Sequence, residues 1–158
     1  MNGKYIGGGI VLIALAFGAG VYYAQEYGYY EKVSATAPAA AITLAELGGG
    51  TLDPIDVAGY LGIDADSSPL RYRACFRTDI SLATATETFQ VYDAPTPLIG
   101  PKWFDCYDAK RIGADLEAGR AVAFLSQHDI HDGVDRVVAL YPDGQAYVWH
   151  QLNSEAEK

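Results

Sequence analysis

The segment of this sequence that most resembles a reactive or metal-binding site contains two histidines with interleaved carboxylates. His128 and His131 are separated by Asp129 and Ile130, and Asp132 and Asp135 follow them. Imidazole and carboxylate groups are common ligands of zinc and copper, so the histidine pair is a candidate metal site. The segment is predicted to be a loop, however, where this spacing fixes no common face. We therefore favour a solvated acidic turn between two strands, with no metal and no other cofactor.

A second candidate lies in residues 70–77, where alternate residues are apolar, as in a half-buried strand. Arg71, Arg73 and Arg77 then share one face. They could bind an anion or the carboxylate of a partner through paired hydrogen bonds. The favoured alternative is that they pair with aspartates of the same domain.

Aromatic residues of the last predicted strand form a third candidate. Tyr147 and Trp149 share a face with Gln151, and His150 lies opposite. If this face is exposed, the two rings would form a docking surface. If it is covered, they belong to the core, which is the interpretation we favour.

Motifs that would indicate an enzyme are missing from the sequence. It contains no G-x-S-x-G, no phosphate-binding glycine loop, no H-E-x-x-H and no C-x-x-C-H. We therefore expect a protein that is not an enzyme.

Cys75 and Cys106 are the only cysteines, and they are not spaced as a redox or metal motif. In an oxidising compartment an isolated pair of this kind indicates one structural disulfide.

The elements that position these residues begin with a membrane anchor. Residues 5–24 are uncharged and apolar, and as a helix they would span about 30 Å, the thickness of the hydrocarbon core. Lys4 precedes the run and Glu26 follows it, so the positive-inside bias places the N-terminus in the cytoplasm. Tyr22 and Tyr23 begin a tyrosine cluster where the helix would leave the membrane.

Two further features of the apolar run bear on its role. Ala14-Leu15-Ala16 resembles a signal-peptidase site, but the run continues well past it, so a retained anchor is the better explanation. Small residues let a second helix approach closely, although glycine is also simply frequent in membrane helices. The glycines concerned are Gly7, Gly8, Gly9, Gly18 and Gly20.

The predicted organisation has five parts. They are a cytoplasmic N-terminus (1–4), a transmembrane helix (5–24), a juxtamembrane segment and linker (25–41), a periplasmic domain (42–153) and a tail (154–158).

Within the domain we expect strands at 70–77 and in the second half of 81–92, where alanines keep a helical start possible. A helix at 107–118, a short strand at 121–125 and a hairpin around Tyr141-Pro142-Asp143-Gly144 follow. This is an α+β fold: a small, mostly antiparallel sheet with one main helix and one disulfide.

The net charge of −9 limits the partners of the domain. An acidic surface repels nucleic acid and anionic headgroups, and it could attract a basic soluble electron carrier. Solubility alone also explains such a charge.

Three segments carry a resemblance to a known group of proteins: GIDADSSPLRYRACF (62–76), WFDCYDA (103–109) and DRVVALYPDGQAYVWHQ (135–151). With the MNGK start, they resemble an uncharacterised family of short single-span proteins from alphaproteobacteria. The resemblance implies no activity, and it supports pairing of the two cysteines.

The function predicted from these observations is a non-catalytic accessory subunit or assembly partner of a larger bacterial inner-membrane complex, respiratory or photosynthetic. Its partners would be the membrane and other integral subunits. The alternatives are a periplasmic ligand-binding or sensing module, with its site at the arginine face or on the sheet, and a metal-binding protein using His128 and His131.

Overall fold

The computed structural model describes residues 2–156. Met1 of the predicted cytoplasmic segment and the last two residues of the predicted tail lie outside this range. The chain forms a long N-terminal helix followed by an α+β domain, and the predicted fold class is confirmed.

Helix α1 (Gly3–Tyr23) continues through one π-helical turn (Ala24–Gly28). Together they are long and apolar enough to cross a membrane, and none of their side chains is buried against the rest of the chain. By length and composition, the structure therefore agrees with the predicted anchor.

Six antiparallel strands form the main sheet, in the spatial order β1-β4-β5-β8-β7-β6. The strands are β1 (Glu31–Val33), β4 (Ala58–Asp64), β5 (Arg73–Arg77), β6 (Val122–His131), β7 (Val134–Leu140) and β8 (Gln145–Leu152). The Tyr141–Gly144 turn joins β7 to β8 as predicted, with Gly144 at φ 82°.

One face of this sheet is covered by a two-stranded hairpin, β2 (Thr43–Ala45) and β3 (Leu52–Pro54), and by helix α2 (Leu82–Thr88). We call it the hairpin-side face. Alternate residues of the sheet pack here against β2 and α2, because successive side chains of a strand point to opposite faces. The core of this face includes Tyr72, Ala74, Phe76, Phe124, Val138, Leu140 and Val148 from the sheet, with Ile42, Leu44, Ala85 and Phe89 over them.

Helix α3 (Ala109–Glu117) covers the opposite face, which we call the helix-side face. The Asp108 side chain caps α3 by accepting a hydrogen bond from the Arg111 backbone N–H, and Gly119 follows the helix at φ 70°. Ile112 of α3 packs against sheet residues that alternate with those of the other core. They include Cys75, Ala123, Val137, Ala139, Tyr147 and Trp149.

The predicted disulfide is present, with 6.3 Å between the Cα atoms of Cys75 and Cys106. Cys75 lies on β5, and Cys106 lies in the proline-containing segment that leads to α3. The bond therefore fixes this long irregular segment to the helix-side face.

Three local predictions need correction. The predicted linker, which the sequence suggests would hold the domain away from the membrane, instead packs on the domain: β1 pairs with β4 and the Tyr72 hydroxyl donates to the Ala39 carbonyl at 2.7 Å. The second half of 81–92 is not a strand: α2 extends to Thr88, the Ser81 side chain caps the helical start that the alanines kept possible, and only isolated bridges follow. The histidine pair lies in β6 rather than in a loop.

We expect the disulfide to contribute about 3–4 kcal/mol to the free energy of unfolding, given the 31-residue separation of its cysteines. Denaturant unfolding of the full chain in detergent, with and without the Cys75→Ser/Cys106→Ser double substitution, measures this contribution. Tryptophan fluorescence provides the signal, because the ring of Trp149 is fully buried in the folded chain. Equal midpoints would show that the bond adds nothing.

Candidate functional site

The three arginines of residues 70–77 do not form a common binding face. Arg73 is 3% exposed, and its guanidinium donates to four backbone carbonyls, those of Leu98, Leu70, Tyr72 and Ile99, at 2.6–3.3 Å. Burial lowers the pKa of Arg73 from its ordinary value. Arg73 thus holds the 98–99 segment against the sheet and is not accessible to a ligand.

Arg71 and Arg77 lie in separate surroundings. The Arg71 guanidinium stacks over the rings of Tyr29 and Tyr30, 5.7 and 5.3 Å from their centroids. Arg77 is exposed and donates to the Asp143 carbonyl at 2.7 Å. Within residues 2–156 none of the three arginines forms an ion pair with a carboxylate, so the predicted aspartate pairing is replaced by carbonyls and aromatic rings.

Tyr147 and Trp149 are core residues, not a docking surface. Trp149 is fully buried, and its indole N–H donates to Gln151 Oε1 at 2.9 Å. Tyr147 is 6% exposed and accepts a hydrogen bond from Arg111 of α3 at 2.8 Å. Helix α3 covers this face, and sequence alone could not show that it does.

An aromatic cluster joins the end of the N-terminal helix to the domain, and we call it the membrane-proximal clamp. The Trp103 indole N–H donates to the Glu26 carbonyl, and the Lys102 backbone N–H donates to Glu26 Oε2 at 3.1 Å. The ring of Trp103 stacks on Tyr27 and meets Tyr30 edge-on, at 6.3 and 6.2 Å between centroids. The domain is thus held against the helix exit by hydrogen bonds and stacked rings.

A groove of about 920 Å³ lies beside the start of β7 and the end of β8. The loop after β2, the 90–96 segment and residues 151–155 line it, together with His128 and Asp135. Its size is in the range of small-molecule sites.

A buried carboxylate organises one wall of this groove. Asp135 is 4% exposed, yet it accepts four hydrogen bonds at 2.9–3.0 Å. The donors are His128 Nδ1, the Asp129 backbone N–H, Asn153 Nδ2 and the Tyr92 hydroxyl. Four donors compensate for the loss of water around this carboxylate.

His131 belongs to a different environment, because three residues along a strand reverse the direction of the side chain. Its ring lies 5.8 Å from that of His150, on the hairpin-side face, whereas His128 contacts Asp135 on the helix-side face. The predicted two-histidine metal site is therefore not assembled.

A sealed polar network surrounds His150. Its Nε2 accepts from Arg136 Nε at 3.0 Å, so its Nδ1 donates to the Pro69 carbonyl at 2.7 Å. The Arg136 guanidinium lies 4.4 Å from the Tyr72 ring centroid, and Tyr72 also stacks on His150. Burial lowers the pKa of His150 to about 3, so the ring is neutral across the physiological range.

Sequence reasoning missed Tyr92, Asn153 and Glu155, because each contacts β6 or β7 only through the tertiary fold. One local signal was available. Asp132-Gly133 is the two-residue turn typical of a tight hairpin, and Gly133 has φ 71°. That turn predicts the extension of β6 through both histidines.

The lowered pKa of His150 predicts a dependence of stability on pH. The unfolded chain binds a proton near pH 6.5 and the folded chain only near pH 3, so the free energy of unfolding falls as pH decreases from 6.5. The slope from this one group reaches about 1.4 kcal/mol per pH unit. The charged and titratable neighbours Arg136, His131 and Arg73 all oppose its protonation.

Denaturant unfolding between pH 4.5 and 7.5 measures this effect. His150→Gln keeps an acceptor for Arg136 and removes the titration, so its stability should vary less with pH. His131→Gln, at an exposed position, is the control: burial is the main cause of the lowered His150 pKa and His131 only a minor one, so this variant should keep most of the wild-type slope. Identical slopes in all three proteins would contradict the role assigned to His150.

The family comparison covers the whole region that contains the groove, both cysteines and the β7–β8 hairpin. Neither the comparison with curated proteins nor that with solved structures gives a significant match. The model of the family of unknown function DUF6446 matches residues 42–158, most of the chain. The chain therefore belongs to this family of unknown function.

Proposed function

We propose that the protein is a non-catalytic accessory subunit or assembly partner of a larger bacterial inner-membrane complex. Helix α1 would lie in the membrane, with the N-terminus in the cytoplasm and the domain in the periplasm. The membrane-proximal clamp, in which Trp103 and Lys102 bind Glu26, is the observation that supports this proposal.

The clamp matters because it fixes where the domain lies relative to the helix exit. A flexible linker would leave the domain free to move relative to its anchor, which the binding of a diffusing ligand tolerates. A subunit that contacts its partner both within the membrane and above it gains affinity when the two surfaces are held in a fixed relation, because less freedom is lost on binding. The clamp and the pairing of β1 with β4 supply that fixed relation.

The surface of α1 is consistent with such a partner. None of its residues is buried by the domain, so its apolar side chains and glycines are available to lipid and to other helices. Glycines permit close helix approach, and a partner helix would give Gly7, Gly8, Gly9, Gly18 and Gly20 a role.

Among the described residues the groove contains no nucleophile activated by a histidine. A histidine that activates a serine or cysteine nucleophile lies within hydrogen-bond reach of its hydroxyl or thiol. Ser154 lines the groove, but within residues 2–156 no hydroxyl or thiol forms a hydrogen bond with His128.

A narrower form of the proposal specifies the type of complex to which the protein would belong. The acidic charge of the chain would suit a complex that exchanges a basic soluble electron carrier, such as a respiratory or photosynthetic complex.

Ligand binding or sensing is the second candidate function, and the groove favours it. The groove is not lined by Arg71, Arg73 or Arg77, so the sensing hypothesis moves from the arginine face to the wall formed by His128 and Asp135.

We expect Trp103→Ala to loosen the clamp by removing both the hydrogen bond to Glu26 and the stacking on Tyr27. Hydrogen exchange of residues 24–33, measured on the full chain in detergent, should become faster than in the wild type. Trp103→Phe retains an aromatic ring without the N–H and should give an intermediate rate. Unchanged exchange in Trp103→Ala would show that the clamp does not hold the two parts together.

Purification from native membranes in a gentle detergent tests the function itself. The proposal predicts one complex of integral proteins at near-equal stoichiometry, co-migrating on a native gel. Trp103→Ala should reduce recovery several-fold while remaining in the membrane, and Arg77→Ala, at an exposed position away from the clamp, should not. Recovery of the protein alone would reject the subunit proposal in favour of ligand binding.

A further inference from the structure

We infer that His128, Asp129 and Glu155 form a binding site for a divalent transition-metal cation of the zinc class. One ligand atom from each of the three side chains lies within 4.8 Å of the others, at the groove wall. This site differs from the two-histidine site suggested by sequence spacing, since His131 takes no part in it. It is also independent of the proposed function.

The orientation of His128 makes one nitrogen available to a metal. Asp135 is a buried acceptor, so His128 Nδ1 must hold the proton that bonds to it at 2.9 Å. Nε2 of the neutral ring is then an unprotonated lone pair. A histidine that donates one N–H to a carboxylate and presents the other nitrogen is the usual arrangement of a metal-binding histidine.

The carboxylate of Asp129 lies beside this nitrogen. Nε2 of His128 lies 3.5 Å from Asp129 Oδ2, a distance at which a protonated ring forms an ion pair with the carboxylate. When Nε2 carries no proton, both atoms are electron-pair donors, and one cation can bind both of them in place of the proton.

Asp129 is oriented so that only one of its oxygens is available. Its Oδ1 accepts from Asn153 Nδ2 at 2.8 Å and from the Gly133 backbone N–H at 3.2 Å. Oδ2 is the atom left toward His128. The backbone of Asp129 has φ 48°, the one positive value of a non-glycine residue in the described chain.

One buried residue, Asn153, forms the hydrogen bonds that position all three ligands. Asn153 is 5% exposed, and its Nδ2 donates both to Asp129 Oδ1 and to Asp135 Oδ1, which binds His128. Its Oδ1 accepts from the Glu155 backbone N–H at 3.1 Å, which places that residue beside the other two. Such outer-shell contacts fix ligand geometry before the metal binds.

The donor set determines the class of cation. One imidazole nitrogen and two carboxylates suit zinc and its neighbours, whereas magnesium and calcium prefer oxygen alone. Three protein ligands leave a fourth position for water or a groove-bound group, as in open zinc sites. All three ligands are exposed, so the cation can enter directly from solvent.

Calorimetric titration of the full chain with Zn²⁺ in detergent tests the site, with any affinity tag placed at the N-terminus and free of histidine. We expect one Zn²⁺ per chain. His128→Asn preserves a donor for Asp135 while removing Nε2, and it should weaken binding at least tenfold. Glu155→Gln should weaken binding as well, and His131→Asn is the matched control with unchanged affinity.

Two further measurements make the result unambiguous. X-ray absorption of the Zn²⁺-loaded chain should show a single imidazole among oxygen ligands, and Mg²⁺ should not compete at equal concentration. Melting temperatures without metal should be similar in wild type, Glu155→Gln and His131→Asn, which confirms that each is folded. If wild type binds Zn²⁺ no better than His128→Asn, or if His131→Asn loses as much affinity, the inference is overturned.

Discussion

The structure depends on the burial of β7, a strand that contains two charged residues. Every residue of β7 is buried, because the hairpin-side and helix-side layers cover both faces of the sheet, yet β7 contains Asp135 and Arg136 in succession. Adjacent positions point to opposite faces, so the two charges cannot neutralise each other directly. Each needs its own set of polar partners, since a buried charge without them would cost several kcal/mol. The polar partners of Asp135 and those of Arg136 form two networks, and these connect distant parts of the chain to β7.

The Arg136 network explains why the segment after the anchor is ordered. Arg136 meets His150 and lies over the ring of Tyr72, whose hydroxyl donates to the Ala39 carbonyl. Residues that sequence assigns to a flexible linker thus complete the environment of a buried cation. With β1 added to the sheet edge and Trp103 bound to Glu26, the path from helix to domain is fixed at three points.

Local signals predicted the elements whose cause is local. Pro142-Asp143-Gly144 specifies the β7–β8 turn, Asp108 and Gly119 mark the two ends of α3, and the two isolated cysteines form a disulfide.

The incorrect predictions concern residues whose environment is formed by segments distant in the sequence. Arg73 looks like an exposed cation on an alternating strand, but carbonyls from residues 98 and 99 enclose it. For Trp149 the favoured core position is correct, but strand alternation also allowed an exposed one, and the position of α3 decides between them. Nothing near Asn153 in the sequence indicates that it contacts β6 and β7.

His150 and His128 differ in solvent exposure, and this difference makes His150 a structural residue and His128 suited to binding. The His150 side chain is enclosed between Arg136 and the Pro69 carbonyl, so both of its nitrogens are occupied and its ring stays neutral. His128 Nδ1 is hydrogen-bonded to Asp135, but Nε2 only lies 3.5 Å from Asp129 Oδ2, and 53% of the side chain is exposed. Both histidines are held by a neighbour of the same buried strand, but only on the helix-side face does the network open into a groove. The polar core is enclosed on one face and open on the other, so Nε2 of His128 lies where a solute can reach it.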